Sequence, residues 1–185
     1  MNGHHLILGQ LTDFISGRIL DDTLDERHRQ QTGRYLVEAK GYAKSDITSR
    51  HELEFDVDGR CARLLITYTV AIERRIGMIV QYGPGSLVTR QRPALAISRL
   101  AAAYQVPVVV VTNGEQADIL DGNTGQRTGA HLDEIPHRDQ LADICNRHAW
   151  TAISEERADK ESRILMAFEV DGSCPCDDSV CTIQK

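Results

Sequence analysis

Apolar residues recur along the chain in two periods, and the switches between them outline its elements. Residues 6–15 carry Leu, Ile and Phe at helical spacing and stop at Gly17, which predicts a short first helix. Next, Asp22 or Thr23 offers a cap, and the acids just after it suit the positive end of a helix. That helix is predicted to run to about Lys40, with Leu36 and Val37 inward and Gly41 as its stop. Residues 51–57 alternate with the period of a half-buried strand, Asp58-Gly59 makes a hairpin turn, and residues 61–72 return. Residues 73–77 turn again, and residues 78–82 form a third strand.

Pro93 suits the first position of an alanine- and leucine-rich helix ending near Tyr104. The β-branched run at 106–112 reads as a strand buried on both faces, turned by Asn113-Gly114 into one more strand at 116–121. Residues 123–136 read as loop, residues 138–148 and 154–168 as two closing helices, and the tail from Glu169 has no core pattern. Helix, three strands, helix, two strands and further helices make an α/β fold with a mixed sheet flanked by helices.

Composition narrows this picture only slightly. A chain of 185 residues with 41% hydrophobic and 26% charged residues is expected to be one globular domain. A net charge of -6 argues against a generally basic nucleic-acid binder and leaves room for a local basic patch. The start has no basic leader with an apolar core, and no apolar run reaches the ~20 residues of a membrane helix. A reducing cytoplasm is therefore expected, with the five cysteines as thiols or metal ligands rather than disulfides.

Two stretches carry candidate chemistry. In residues 79–90, "IVQYGPGSLVTR", an apolar strand runs into two glycines, with Ser86, Thr89, Arg90 and then Arg92 as donors. No P-loop spacing or lysine is present, Pro84 removes one N–H, and a helix starting at Pro93 lies too far away to face an anion at Gly83. The stretch is thus either a plain connection with surface arginines or a contact for an anion or nucleic-acid backbone. The second stretch holds Cys174, Cys176 and Cys181. Zinc or an iron–sulfur cluster would need a fourth ligand, from Cys145 or a second subunit. The alternative is three reduced cysteines, or an incidental disulfide, in a tail outside the core. Cys61 is expected as a small core residue and Trp150 as a filler beneath the closing helices; no histidine has zinc-protease spacing, and no G-x-S-x-G elbow occurs.

Residues 25–47 ("DERHRQQTGRYLVEAKGYAKSDI"), "LLITYTVAI", "GMIVQYGPG", "RPALAISRLAAAYQVP" and "VVVVTNGEQADILD" together carry a resemblance. In order and spacing they resemble the N-terminal domain of type I restriction enzyme R subunits, a branch of the PD-(D/E)XK nuclease superfamily. The likeness spans about residues 21–140 and implies a restriction-endonuclease-like αβββαβ core there. Residues 1–20 are then a helical extension, 141–170 closing helices and 171–185 a cysteine-containing tail. It also implies a site in which two carboxylates hold magnesium and a lysine assists the attacking water. The pattern puts Thr67 at the Asp, Ile79 at the Glu and Gln81 at the Lys, so all three roles are missing.

Glu26 matches an acidic helix position of the family, while Asp56, Asp58 and Glu73 sit in turns away from Gln81. The expectation is a catalytically degenerate module that binds nucleic acid or a protein partner, using Gln81, Ser86, Thr89, Arg90 and Arg92. Magnesium is not expected. An active nuclease with relocated carboxylates, or a zinc or iron–sulfur protein using the tail, are the alternatives.

Overall fold

The structure is a computed structural model, described here over residues 6–171 and 180–183. Residues 6–22 depart from the expected helix: β1 (Gln10–Thr12) and β2 (Ile19–Asp21) form an antiparallel hairpin. Local turn chemistry overrides the apolar spacing, since the Asp13 carboxylate accepts the Ser16 N–H at 3.2 Å and Gly17 takes φ +74°.

Helix α1 (Leu24–Glu38) starts where expected, with the Thr23 hydroxyl accepting the Glu26 N–H at 3.1 Å. Strands β3 (Ile47–Val57) and β4 (Arg60–Ile72) meet at Asp58-Gly59. Both turn residues have left-handed φ, as a two-residue hairpin loop requires. Glu73-Arg74 repeats that geometry before β5 (Arg75–Tyr82). Helix α2 (Val88–Leu100) crosses to β6 (Val108–Thr112), which pairs parallel with β5; β7 (Ala117–Asp121) and β8 (Arg127–Gly129) follow antiparallel. Helices α3 (Arg138–Arg147) and α4 (Glu155–Leu165) close the chain, α4 running on into a π-helical turn at Met166–Val170.

From α1 to β6 the order is αβββαβ, in a mixed sheet ordered β3-β4-β5-β6-β7-β8. Leu36 of α1 and Leu141 and Cys145 of α3 pack with Tyr68, Val70, Met78 and Val80 on one face. Residues Ala94–Ile97 of α2 and Leu165 and Met166 of α4 pack with Leu64, Ile66, Ile79 and Val109 on the other. β6 is buried along its whole length, matching its unbroken β-branched run.

Several expectations are corrected. Pro93 lies inside α2 rather than at its start, because the helix is already under way at Val88. Residues 123–136 are not all loop: they contain β8 and a 3-10 turn at Leu132–Glu134. The tail returns to the sheet, its last segment β9 (Val180–Ile183) pairing antiparallel with residues 61–64 of β4. Cys61 is half-exposed, with its thiol donating to Asp56 at 3.1 Å, rather than a core residue. Trp150, half-buried at φ +48°, meets the Tyr104 and His148 rings edge-on at 4.9 Å. Cys174 and Cys176 lie outside the described residues; for Cys181 the backbone alone is described.

Candidate functional site

The residues laid on the nuclease pattern meet where β4 changes partners. Along one edge β4 pairs with β9 at residues 61–64 and with β5 from Tyr68 onward. Thr67 and Gln81 bridge the step between them. The Gln81 side-chain amide oxygen, Oε1, accepts the Thr67 N–H at 3.1 Å, and the Thr67 hydroxyl accepts the Tyr82 N–H at 3.0 Å. Two side chains thereby replace ladder bonds for buried amides, each of which would cost about 1–3 kcal/mol if left alone. Ile79 is fully buried among Leu95, Val109 and Val111. The step is neutral and closed.

Strand alternation then separates these residues from α1. Ile79 packs in the α2 face, whereas Val80 and Tyr82 face α1, which carries Glu26. The Tyr82 hydroxyl donates to Asp25 at 3.0 Å, His28 stacks on its ring at 6.0 Å, and the Arg29 guanidinium lies 5.2 Å from the ring centre. Burial, then the Asp25 carboxylate, holds the Tyr82 phenol above its usual range. The Tyr68 hydroxyl donates to the Arg29 carbonyl at 2.7 Å, a close approach that depends on Gly33: a Cβ there would lie 2.8 Å from it. A one-residue slip exchanges faces in any strand, so Tyr68, Val80 and Tyr82 are the set sharing the Glu26 side. Neither set brings a carboxylate. Residues 60–72 and 75–82 contain no Asp, Glu or Lys at all.

Glu26 is buried and engaged. One oxygen accepts the Gln30 amide at 2.8 Å, and the other lies 3.3 Å from Arg29 and 3.4 Å from Arg50. Its neighbour Asp13, which no sequence pattern had marked as a site residue, accepts the Ser49 hydroxyl at 2.5 Å, the Gln30 amide at 3.0 Å, and both the N–H and hydroxyl of Ser16. Burial raises the Asp13 carboxyl, but the hydrogen bonds from Ser16, Ser49 and Gln30 outweigh it and leave it below its usual value. The single Gln30 NH2 group donates to both carboxylates, so a proton donor fills the space between them where a cation would sit. The legible signal was Asp13-x-x-Ser16-Gly17, an Asx-type turn.

The other acids stay apart. Asp56 accepts the Gly59 N–H, Asp58 pairs with both terminal nitrogens of Arg163, and Glu73 occupies the turn at the opposite end of β4. Among the described residues no three His, Cys, Asp or Glu side chains gather as a metal site requires. Cys145, considered as a fourth ligand for the tail, packs under α3 against Gly77, and burial pushes its thiol up to about 11.

The loop after β5 is tighter than expected, because α2 begins at Val88. The Gly83 N–H donates to the Thr112 carbonyl at 2.9 Å, and the Thr89 hydroxyl turns back to the Ser86 carbonyl at 3.0 Å. The Arg90 side chain lies flat on Gly83, where a Cβ would sit 2.9 Å from its Nε, and it has no hydrogen-bond acceptor among the described residues. Ser86, Thr89 and Arg90 are thus brought together. Gln81 turns to the β4 step, and Arg92 turns to α4, where it lies 2.6 Å from Glu161.

The family model for the N terminus of type I restriction enzyme R proteins matches residues 24–136. No curated protein and no solved structure gives a significant match. Among the described residues no helix is long and apolar enough to cross a membrane.

Proposed function

The chain belongs to the family of type I restriction enzyme R protein N termini, and from that premise we propose a nuclease-like module of PD-(D/E)XK type that has lost magnesium-dependent cleavage and binds nucleic acid. One observation carries the loss: the paired strands β4 and β5 hold no Asp, Glu or Lys on either face. Magnesium needs oxygen ligands to anchor it, and without the ion there is neither charge stabilisation nor an acidified water. The threonine hydroxyl at 67 is a weak ligand already accepting the Tyr82 N–H, and Ile79 or Val80 supplies none. The acids that remain support the same reading, since Asp13 and Glu26 share an amide donor rather than an open gap.

Binding is assigned to the loop after β5. Arg90, without an acceptor among the described residues, lies four residues from Ser86, and guanidinium and hydroxyl are donors suited to a backbone phosphate; the Thr89 hydroxyl is already engaged by the Ser86 carbonyl. Cleavage assays on single- and double-stranded substrates with magnesium and with manganese are expected to show no turnover. Turnover abolished by Asp13→Asn or Glu26→Gln would overturn the reading in favour of a relocated site. Arg90→Ala is expected to weaken nucleic-acid binding and to lower the salt slope by about one. No salt-dependent binding by the unaltered chain would turn the module toward a protein partner. Metal bound through Cys174, Cys176 and Cys181 would show as zinc or iron in the purified full chain.

A further inference from the structure

Glu161 on α4 is fully buried, and three arginines converge on it. Arg99 Nη1 donates to Oε1 at 2.8 Å, Arg157 Nε donates to the same oxygen at 2.6 Å, and Arg92 Nη1 lies 2.6 Å from Oε2. The Arg92 contact is close but misaligned for a hydrogen bond, so it is an ion pair only. Three guanidinium groups against one carboxylate leave an excess of two positive charges.

Nearby acids do not absorb that excess. On the same helix Asp159 pairs with Arg163 and Glu156 with Lys160, and on β7 Asp118 pairs with Arg127. Arg99 is itself more than nine-tenths buried, with a side-chain exposure of 8%. Its Nε and Nη2 have no acceptor among the described residues, and neither do the terminal nitrogens of Arg157. Burial, followed by repulsion from Arg157 and Arg92, pulls the Arg99 guanidinium below its usual value against the pull of Glu161. Side chains of Arg92 and Arg157 are 41% and 49% exposed, so the cluster reaches solvent through these two arginines.

Buried charge persists where it is paired, and guanidinium donors match a tetrahedral oxyanion closely. The geometry points to an oxyanion site on the α2–α4 seam that takes a phosphate group between Arg92 and Arg157, above the buried Arg99. The group can come from a nucleic-acid backbone or from free phosphate. Arg90 and Arg92 point to different sides of α2, toward Gly83 and toward Glu161, so the seam does not depend on the loop after β5. Only the nucleic-acid source rests on the function proposed above.

The test is titration of the full chain with inorganic phosphate, ionic strength held with chloride, following the arginine Nε–Hε signals by NMR. Saturable shifts of Arg92, Arg99 and Arg157 are expected in the low-millimolar range. Arg157→Gln should weaken the titration at least about tenfold, while Lys160→Gln, on the same helix but paired with Glu156, leaves it unchanged. Arg157→Lys, which keeps the charge, replaces the glutamine variant should that one not fold. Absence of saturable shifts, or equal titration by wild type and Arg157→Gln, overturns the site. A short oligonucleotide that displaces phosphate identifies the backbone as the source, and one that leaves the signals unmoved identifies free phosphate. Arg90→Ala separates the two proposals: it should weaken oligonucleotide binding while the phosphate shifts persist.

Discussion

Two buried carboxylate clusters sit on opposite faces of the same sheet, and they are satisfied differently. Beside α1, Glu26 meets two guanidinium groups, Arg29 and Arg50, while its neighbour Asp13 takes its bonds from the hydroxyls of Ser16 and Ser49, and the Gln30 amide donates to both carboxylates. Charges there balance, and the bonds tie the β1–β2 hairpin to α1 and β3. Beneath α4, Glu161 alone faces three guanidinium groups and no hydroxyl. A matched cluster reads as architecture, whereas an overcharged one with an open side reads as half of a binding site. Between the two faces, at the β4 step where the family pattern would concentrate charge, there is none.

The sharpest way to break the comparison is to remove Glu161. Glu161→Ala leaves three arginines, one of them buried, without their carboxylate, and should cost about 3–5 kcal/mol in denaturant unfolding. A loss below about 1 kcal/mol would mean that water already solvates the cluster, and the contrast with Asp13 would fail.

Asp13→Asn should cost less, about 2 kcal/mol, because charge-assisted bonds from Ser16, Ser49 and Gln30 are weakened without stranding a cation. This pair also predicts a pH signature. The folded Asp13 carboxyl lies below its ordinary value of 3.8, so its contribution is present above that value and is lost as pH falls through the lower folded one. Denaturant midpoints measured across acid pH should therefore fall less steeply in Asp13→Asn than in wild type. Parallel curves would show that the hydrogen bonds add nothing to the ionised form.

Thr67→Val comes next and probes the neutral region between the clusters. The substitution keeps the branched shape but removes the acceptor of the Tyr82 N–H, for an expected loss of about 1–3 kcal/mol. Faster amide exchange at Tyr82 should accompany it. An unchanged exchange rate would mean that the amide has found another partner.

Much of this architecture was legible in the chain. The cap at Thr23, the Asp58-Gly59 hairpin and the buried run of β6 are local signals, and local physics decides them. The hairpin at 10–21 was not legible from apolar spacing, since the Asp13-centred turn outweighed it. Nor was the start of α2: Pro93 tolerates a first turn, but its presence did not require one there. At the candidate site, the absence of Asp, Glu and Lys from β4 and β5 is plain in the chain itself. The pairing of Arg92 with Glu161 joins residues far apart in sequence that only the packing of α2 on α4 brings together, and no local pattern announces it.

The smallest expected effect concerns the tail, whose position beyond the last periodic helix suggests from sequence alone that truncation after Glu169 would leave stability untouched. β9 instead adds backbone pairs along residues 61–64, the part of β4 that β5 leaves uncovered. Each net hydrogen bond is worth about 0.5–1.5 kcal/mol. Ordering each residue of the returning strand costs about 1–2 kcal/mol, so most of that gain cancels. Truncation after Asp171 retains the Arg60–Asp171 contact and removes β9 with the segment that leads to it. The expected loss is about 1 kcal/mol, seen as a lower thermal midpoint and faster amide exchange confined to residues 61–64. An uncovered strand edge also invites pairing with another chain, so association of the truncated protein should rise with concentration. An unchanged midpoint together with unchanged exchange at 61–64 would show that β9 contributes nothing to the fold, and the buried clusters on the two faces would then carry it without help from the tail.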